Sequence, residues 1–169
     1  INFYHVSFVG NLTGGALNLG GVGGAVHLYQ DGVLNFNISR GVSLMRGNAV
    51  QQNVNGTLQT PYSQGIYLGN GVTLNINTAA NGIFDMRDDL NGATFGESTA
   101  GAGIIVTKNG QGVWKSGAIK LSSTDATQIA NPQRVAFSVN EGLLYLYRAG
   151  EVDNSSAVIS GNVKAGGIS

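Results

Sequence analysis

Gly-Gly-Ala occurs twice in close succession near the start of the chain. The copies are Gly14-Gly15-Ala16-Leu17 and Gly23-Gly24-Ala25-Val26, and each leads into an apolar run. Around them stand Phe8-Val9-Gly10-Asn11 and Met45-Arg46-Gly47-Asn48, each an apolar residue with asparagine three places on. This pattern narrows the accessible folds more than any other feature. Short apolar strands, glycine corners and a polar residue recurring at the turn imply a stacked repeat. Such a stack presents a long surface rather than an enclosed site.

The remaining strands read from period-2 alternation. Val33-Leu34-Asn35-Phe36-Asn37-Ile38 alternates, and Val72-Thr73-Leu74-Asn75-Ile76-Asn77 repeats it closely. Ile104 to Val106, Ala118 to Leu121, Val135 to Val139 and Leu144 to Tyr147 follow. Glycine or Asn-Gly separates most of them, and no window carries helical spacing with caps. A sandwich or barrel would space strands in the same way. The matching corner residues favour an all-β, right-handed parallel β-helix, a β-solenoid. At about 20–25 residues per turn the chain makes roughly seven or eight rungs. Stacked at about 4.8 Å, they form a rod on the order of 35 Å long. Residues 1–169 then form a single β-helix segment. Ile1 opens inside an apparent strand, so the segment reads as part of a longer chain. Two polar stretches break the rhythm: 51–64 reads as a protruding loop, and 122–133 as a second loop or a single helical turn, and such loops are where specificity tends to reside.

Charge excludes several classes of partner. Lys+Arg and Asp+Glu balance at 9 each, and charged residues are only 11% of the chain. No broad field steers it to nucleic acid or anionic lipid. With no cysteine, disulfides and thiolate metal sites are excluded. The 27 glycines come with only 2 prolines and no Gly-X-Y period, so collagen is excluded too.

Residues 3–50 resemble the passenger domains of polymorphic outer membrane proteins, with their repeated Gly-Gly-Ala-(Ile/Leu/Val) and Phe-x-x-Asn motifs. Gly14–Leu17, Gly23–Val26 and Phe8–Asn11 match, whereas Met45–Asn48 departs by its methionine. The second half resembles the passenger-associated repeat of bacterial autotransporters. Asp88-Asp89-Leu90-Asn91-Gly92 is similar to that family's acidic turn. Val106-Thr107-Lys108-Asn109-Gly110-Gln111-Gly112-Val113-Trp114-Lys115-Ser116-Gly117 is similar to its Leu-Thr-Lys-x-Gly-x-Gly run. The resemblance implies a β-helix exported through the outer membrane to the Gram-negative cell surface. It also implies a parent protein anchored through a barrel outside this segment.

The candidate chemistry is sparse. Asp85, Asp88 and Asp89 form the one dense carboxylate cluster, and pectin-cleaving β-helices use neighbouring aspartates as acid and base. At a rung corner, however, aspartates accept backbone N–H bonds, and that structural reading is preferred. No catalytic residue is assigned, no cofactor is expected, and no metal site is expected at His5, His27 or the glycine-rich segment. Ala25 stands where a calcium-binding glycine repeat would carry aspartate. Asn35, Asn37, Asn75 and Asn77 either form amide ladders along the stack or face a glycan, and the ladder is the simpler reading. Tyr62 and Tyr67, with Tyr145 and Tyr147, are able to stack on sugar rings. Trp114 reads as packed. The candidate binding surface is Gln51, Gln52, Asn53, Asn55, Tyr62 and Gln64.

These readings converge on a non-catalytic surface passenger acting in adhesion or self-association. Its partner would be a host-surface or extracellular glycan or protein, or an identical passenger on another cell, and not nucleic acid. A polysaccharide-cleaving enzyme, a phage tail-fibre segment and a plain stalk are the alternatives. The strand-only reading predicts a far-UV circular dichroism spectrum lacking the paired helical minima.

Overall fold

A computed structural model describes residues 1–14, 24–94, 103–123, 135–147, 159–160 and 164–165. Among these, every element is a strand and no helix occurs. The strands are β1 (Asn2–Tyr4), β2 (Ser7–Val9), β3 (Leu12–Gly14), β4 (Val26–Arg46), β5 (Ala49–Gln51), β6 (Asn53–Val54), β7 (Thr57–Leu58), β8 (Tyr62–Ser63) and β9 (Ile66–Met86). There follow β10 (Leu90–Thr94), β11 (Ile104–Asn109), β12 (Val113–Ser116), β13 (Ile119–Ser123), β14 (Val135–Val139), β15 (Leu143–Leu146), β16 (Ile159–Ser160) and β17 (Lys164–Ala165).

The frame is the parallel pair β4 and β9, each 21 residues long. They stay paired from Val26 opposite Ile66 to Met45 opposite Met86, with one irregularity between Ile38 and Arg40. β1 and β2 add to the other edge of β4. On the far side β9 takes β10, β11 and β12, which take β13, β14 and β15 in turn, all in parallel. One line of neighbours runs six segments deep, β1-β4-β9-β11-β14-β17. This all-β, long-stranded parallel sheet is compatible with a β-helix. Parallel partners stand between 24 positions apart, as Ile66 and Leu90 do, and 41, as Met45 and Met86 do. Most of these separations exceed the expected 20–25.

Alternation supplies the core. Leu34, Phe36 and Ile38 are buried between half-buried Asn35 and Asn37, because successive side chains leave opposite faces of a strand. In-register parallel pairing then stacks like on like, as in the column Leu34, Leu74, Val106 and Phe137. The long strands also bend. Asp31 (φ +33°) lies opposite Gly71 (φ +70°), so both chains turn through left-handed backbone at the same level. Bending lets one strand line one core repeatedly: Leu68, Leu74 and Phe84 of β9 belong to a single cluster. Phe36 stacks on Phe84 with centroids 4.8 Å apart, and Trp114 is buried beside Phe137 at 6.0 Å. Each such buried side chain contributes about 1.5–3 kcal/mol.

The stretch 51–64 is structured, contrary to the loop expected from its polarity. β5 and β8 pair antiparallel, and β6 and β7 continue outward as a narrower ribbon. Asn55 and Gly56 close it with positive φ of 49° and 84°. Both central residues of a tight hairpin turn need that conformation, and Asn-Gly supplies it. Of 122–133, Ser122 and Ser123 end β13, and 124–133 lie outside the described residues.

One inward position carries a charge. Lys108 continues the column Phe3, Phe36 and Ile76 and is fully buried. Its stem fills the core while its Nζ donates to the carbonyls of Asn109 (3.0 Å), Gly110 (2.5 Å) and Glu141 (3.0 Å). Burial holds the ammonium below the ordinary lysine value, and the nearby Glu141 charge partly offsets this. The Lys-x-Gly-x-Gly motif thus has a physical reason here, a lysine fastening the carbonyls of two successive bends. Lys108→Ala leaves a cavity and three unpaired acceptors, and should cost about 2–4 kcal/mol in urea unfolding. Lys108→Met restores the packing alone and should recover only part of that loss.

Candidate binding surface

The outward columns are amides and hydroxyls. Asn35 Nδ2 donates to Asn2 Oδ1 (2.7 Å), and Asn75 Nδ2 to Asn35 Oδ1 (2.8 Å). Thr107 and Ser138 extend that column. A second ladder runs Asn37, Asn77, Asn109 and Asn140, with links of 2.9, 3.0 and 2.8 Å. Each link nets about 0.5–1.5 kcal/mol. Beside it a shallow cleft of ≈ 350 Å³ is lined by Tyr4, Ser39 and Ala79 together with ladder residues.

The three clustered aspartates are buried, and all have partners within the protein. Asp85 pairs with Arg46 and, at 3.2 Å, with Arg87 Nε. The Arg87 guanidinium lies 4.9 Å from the ring centre of Tyr147. Asp88 Oδ2 accepts from the backbone N–H (3.1 Å) and side-chain amide of Asn48, whose own Oδ1 accepts from Asn11 Nδ2 (2.7 Å). The asparagines of Phe8-x-x-Asn11 and Met45-x-x-Asn48 therefore meet at one corner and lean on Asp88. Asp89 accepts from the Ala118 N–H (3.0 Å) and Lys120 Nζ (2.7 Å). Burial raises the Asp88 carboxyl above its ordinary value and the charge of Asp89 adds to this, while hydrogen bonds from Asn48 and Gly47 oppose it. Asp88 and Asp89 fasten the corner that follows β9, whereas Asp85 lies within β9 and holds two arginines instead of the backbone donors expected at a corner.

The expected surface residues divide. Gln52, Asn55 and Tyr62 are exposed on the hairpin, and Gln51 and Asn53 are half-buried there. Gln51 Nε2 is engaged with the carbonyl of Gln59 at 2.9 Å. Gln64 does not belong to this surface. It is 3% exposed, with its N–H on the carbonyl of Asn48 and its carbonyl on the N–H of Gly24. The base of the hairpin is held in the sheet, so a residue that reads as polar loop becomes part of the corner. Ser63 Oγ accepts from the Asp89 N–H at 3.2 Å and ties the hairpin to the aspartate corner.

Next to this base the structure gathers an aromatic cluster that sequence inspection did not assemble. His27 on β4 lies opposite Tyr67 on β9, with ring centres 5.3 Å apart. Tyr29, two residues along β4 on the same face, is 5.9 Å from His27, and both contacts are edge-on. Burial raises the Tyr67 phenol above its ordinary value, and the neighbouring Tyr62 and Tyr29 add to it. Burial lowers His27 below its ordinary value. Tyr145 lies in another column, paired with Lys115, and Tyr147 stands over Arg87. His5, with φ of +50°, meets Ser39 Oγ at 2.8 Å. Among the described residues no three His, Asp or Glu side chains gather as metal ligands.

No family model, curated protein or solved structure matches this chain.

Asp88 generates a prediction with a definite sign. The folded carboxyl keeps its proton to higher pH than the unfolded one, so protonation favours the fold. Stability from this group is present below the ordinary value of 3.8 and is lost as pH rises through the raised value. Asp88→Asn stays neutral and should lack that fall. The gap in unfolding free energy between variant and parent, followed from about pH 3 to 7, should move in favour of the variant as pH rises. A gap that stays flat or moves the other way contradicts the assignment.

Proposed function

We propose that this chain is a segment of an autotransporter-type surface passenger, a right-handed parallel β-helix acting without catalysis in adhesion or self-association. The six segments standing side by side in the sheet are its successive turns. The observation that carries the reading is the outer face. Columns of asparagine amides and hydroxyls run in register along the stack, with a hairpin and tyrosines projecting beside them. A face of this kind has little net charge and many weak, regularly spaced hydrogen-bonding groups. Single contacts contribute about 0.5–1.5 kcal/mol, so useful affinity requires many acting together. Two identical rods share one repeat and can align such groups over their length. A glycan or protein on a host surface can engage the same groups.

The hydrolase alternative finds less support. Asp85, Asp88 and Asp89 are buried and each is engaged by partners within the protein. In this reading the parent protein is exported through the outer membrane and held there by a barrel.

Cells displaying the full-length parent should clump or attach to surfaces more than cells lacking it. Salt should alter this little, because the charges balance. Deleting 51–64 should reduce both behaviours in a sedimentation and attachment assay. Display that promotes neither removes the adhesin reading, and deletion without effect removes the role of the hairpin.

A further inference from the structure

We infer that His27, Tyr29, Tyr62 and Tyr67 form a binding subsite for an uncharged saccharide, stacked on the tyrosine rings at the base of the hairpin. This rests on the adhesive reading above and names a ligand class for it.

The first argument is exposure combined with order. Tyr29 is 66% exposed and Tyr62 39%, although both belong to strands. A tyrosine ring has two side-chain torsions to fix, so its large apolar face is presented at low entropic cost. His27 sets its ring edge-on to Tyr29 and to Tyr67 at 5.9 and 5.3 Å, which holds the rings at a defined angle. The backbone beneath is also fixed. A Cβ on Gly69 would overlap the carbonyl of Tyr29, so only glycine lets β9 pass this close to it.

The second argument is chemistry. An aromatic face is negative, and the C–H groups on one side of a pyranose ring are weakly positive, so the two attract while apolar area is covered. The phenol hydroxyls at the rim are left to meet sugar hydroxyls. Half-buried Asn91, opposite Tyr67 on the next strand, adds an amide in the same column.

The third argument is charge. The column continues from Asn91 to Lys120, but the Lys120 ammonium is taken by Asp89 at 2.7 Å. Burial of His27 favours its neutral form at pH 7. Among the described residues of this column, a phosphate, sulfate or carboxylate would meet no unpaired cation, whereas a neutral sugar needs none.

The test uses the purified protein and a panel of neutral hexose oligosaccharides, with sulfated and sialylated oligosaccharides and a proline-rich peptide as competitors. At least one neutral oligosaccharide should bind by calorimetry and perturb the tyrosine fluorescence. Tyr29→Ala should weaken it about fivefold or more, and Tyr29→Phe should largely retain it. Tyr29 is exposed enough for the alanine variant to fold, and unchanged thermal unfolding checks this. Tyr145→Ala, outside the cluster, should leave binding unchanged. No binding by any neutral sugar, preference for the charged sugars, selective capture of the peptide, or indifference to Tyr29→Ala would each overturn the assignment. Attachment by displayed cells without sugar binding overturns the subsite alone. Sugar binding without attachment or clumping on display overturns the adhesive reading instead.

Discussion

In-register parallel pairing between β4 and β9 is the constraint on which the rest of the structure depends. Once Val26 faces Ile66, each residue of one strand has a fixed counterpart in the next for most of 21 positions. The two-residue alternation of a single strand becomes columns running across the sheet. Inward columns hold leucine, isoleucine and phenylalanine, and outward columns hold asparagine, threonine and serine. A slip of one residue would exchange the two sets and bury the amides. Register is therefore held by the core and by the ladders together.

The same pairing explains why polar groups are buried together with their partners. Where the chain turns, successive levels bring their bends into contact, and the freed backbone groups need partners away from water. Asn11, Asn48, Asp88 and Asp89 supply them at one corner, and Lys108 supplies donors at another. The buried lysine has a comparable place: it stands where a hydrophobe would in its column and donates to three carbonyls.

The hairpin and the aromatic cluster lie at one end of the β4–β9 pairing. The hairpin departs between β5 and β8, and its base is secured through Ser63 and Asp89. The aromatic cluster sits beside that base because β4 and β9 start their shared pairing there. Rigid sheet below and projecting ribbon above place exposed rings on a backbone that cannot easily yield.

Alternation, glycine punctuation and the repeated apolar-x-x-Asn determined much of this protein from the residues alone. They were enough for an all-β fold, for asparagines laddered from strand to strand, for a packed Trp114 and for Asp88 and Asp89 as acceptors of backbone N–H groups. These are short-range matters, decided by which face a residue takes and by what a turn can accept. Asn55-Gly56 also held the information for a hairpin, but the surrounding polarity read as loop, because backbone pairing leaves little mark on composition. Only the tertiary structure decided which distant residues became neighbours. His27 meets Tyr67 across 40 positions of chain, and Gln64 is buried because its backbone joins Asn48 and Gly24. Such contacts depend on how much chain lies between paired strands, and that length varies from 24 to 41 residues with no periodic signal in the sequence to announce it.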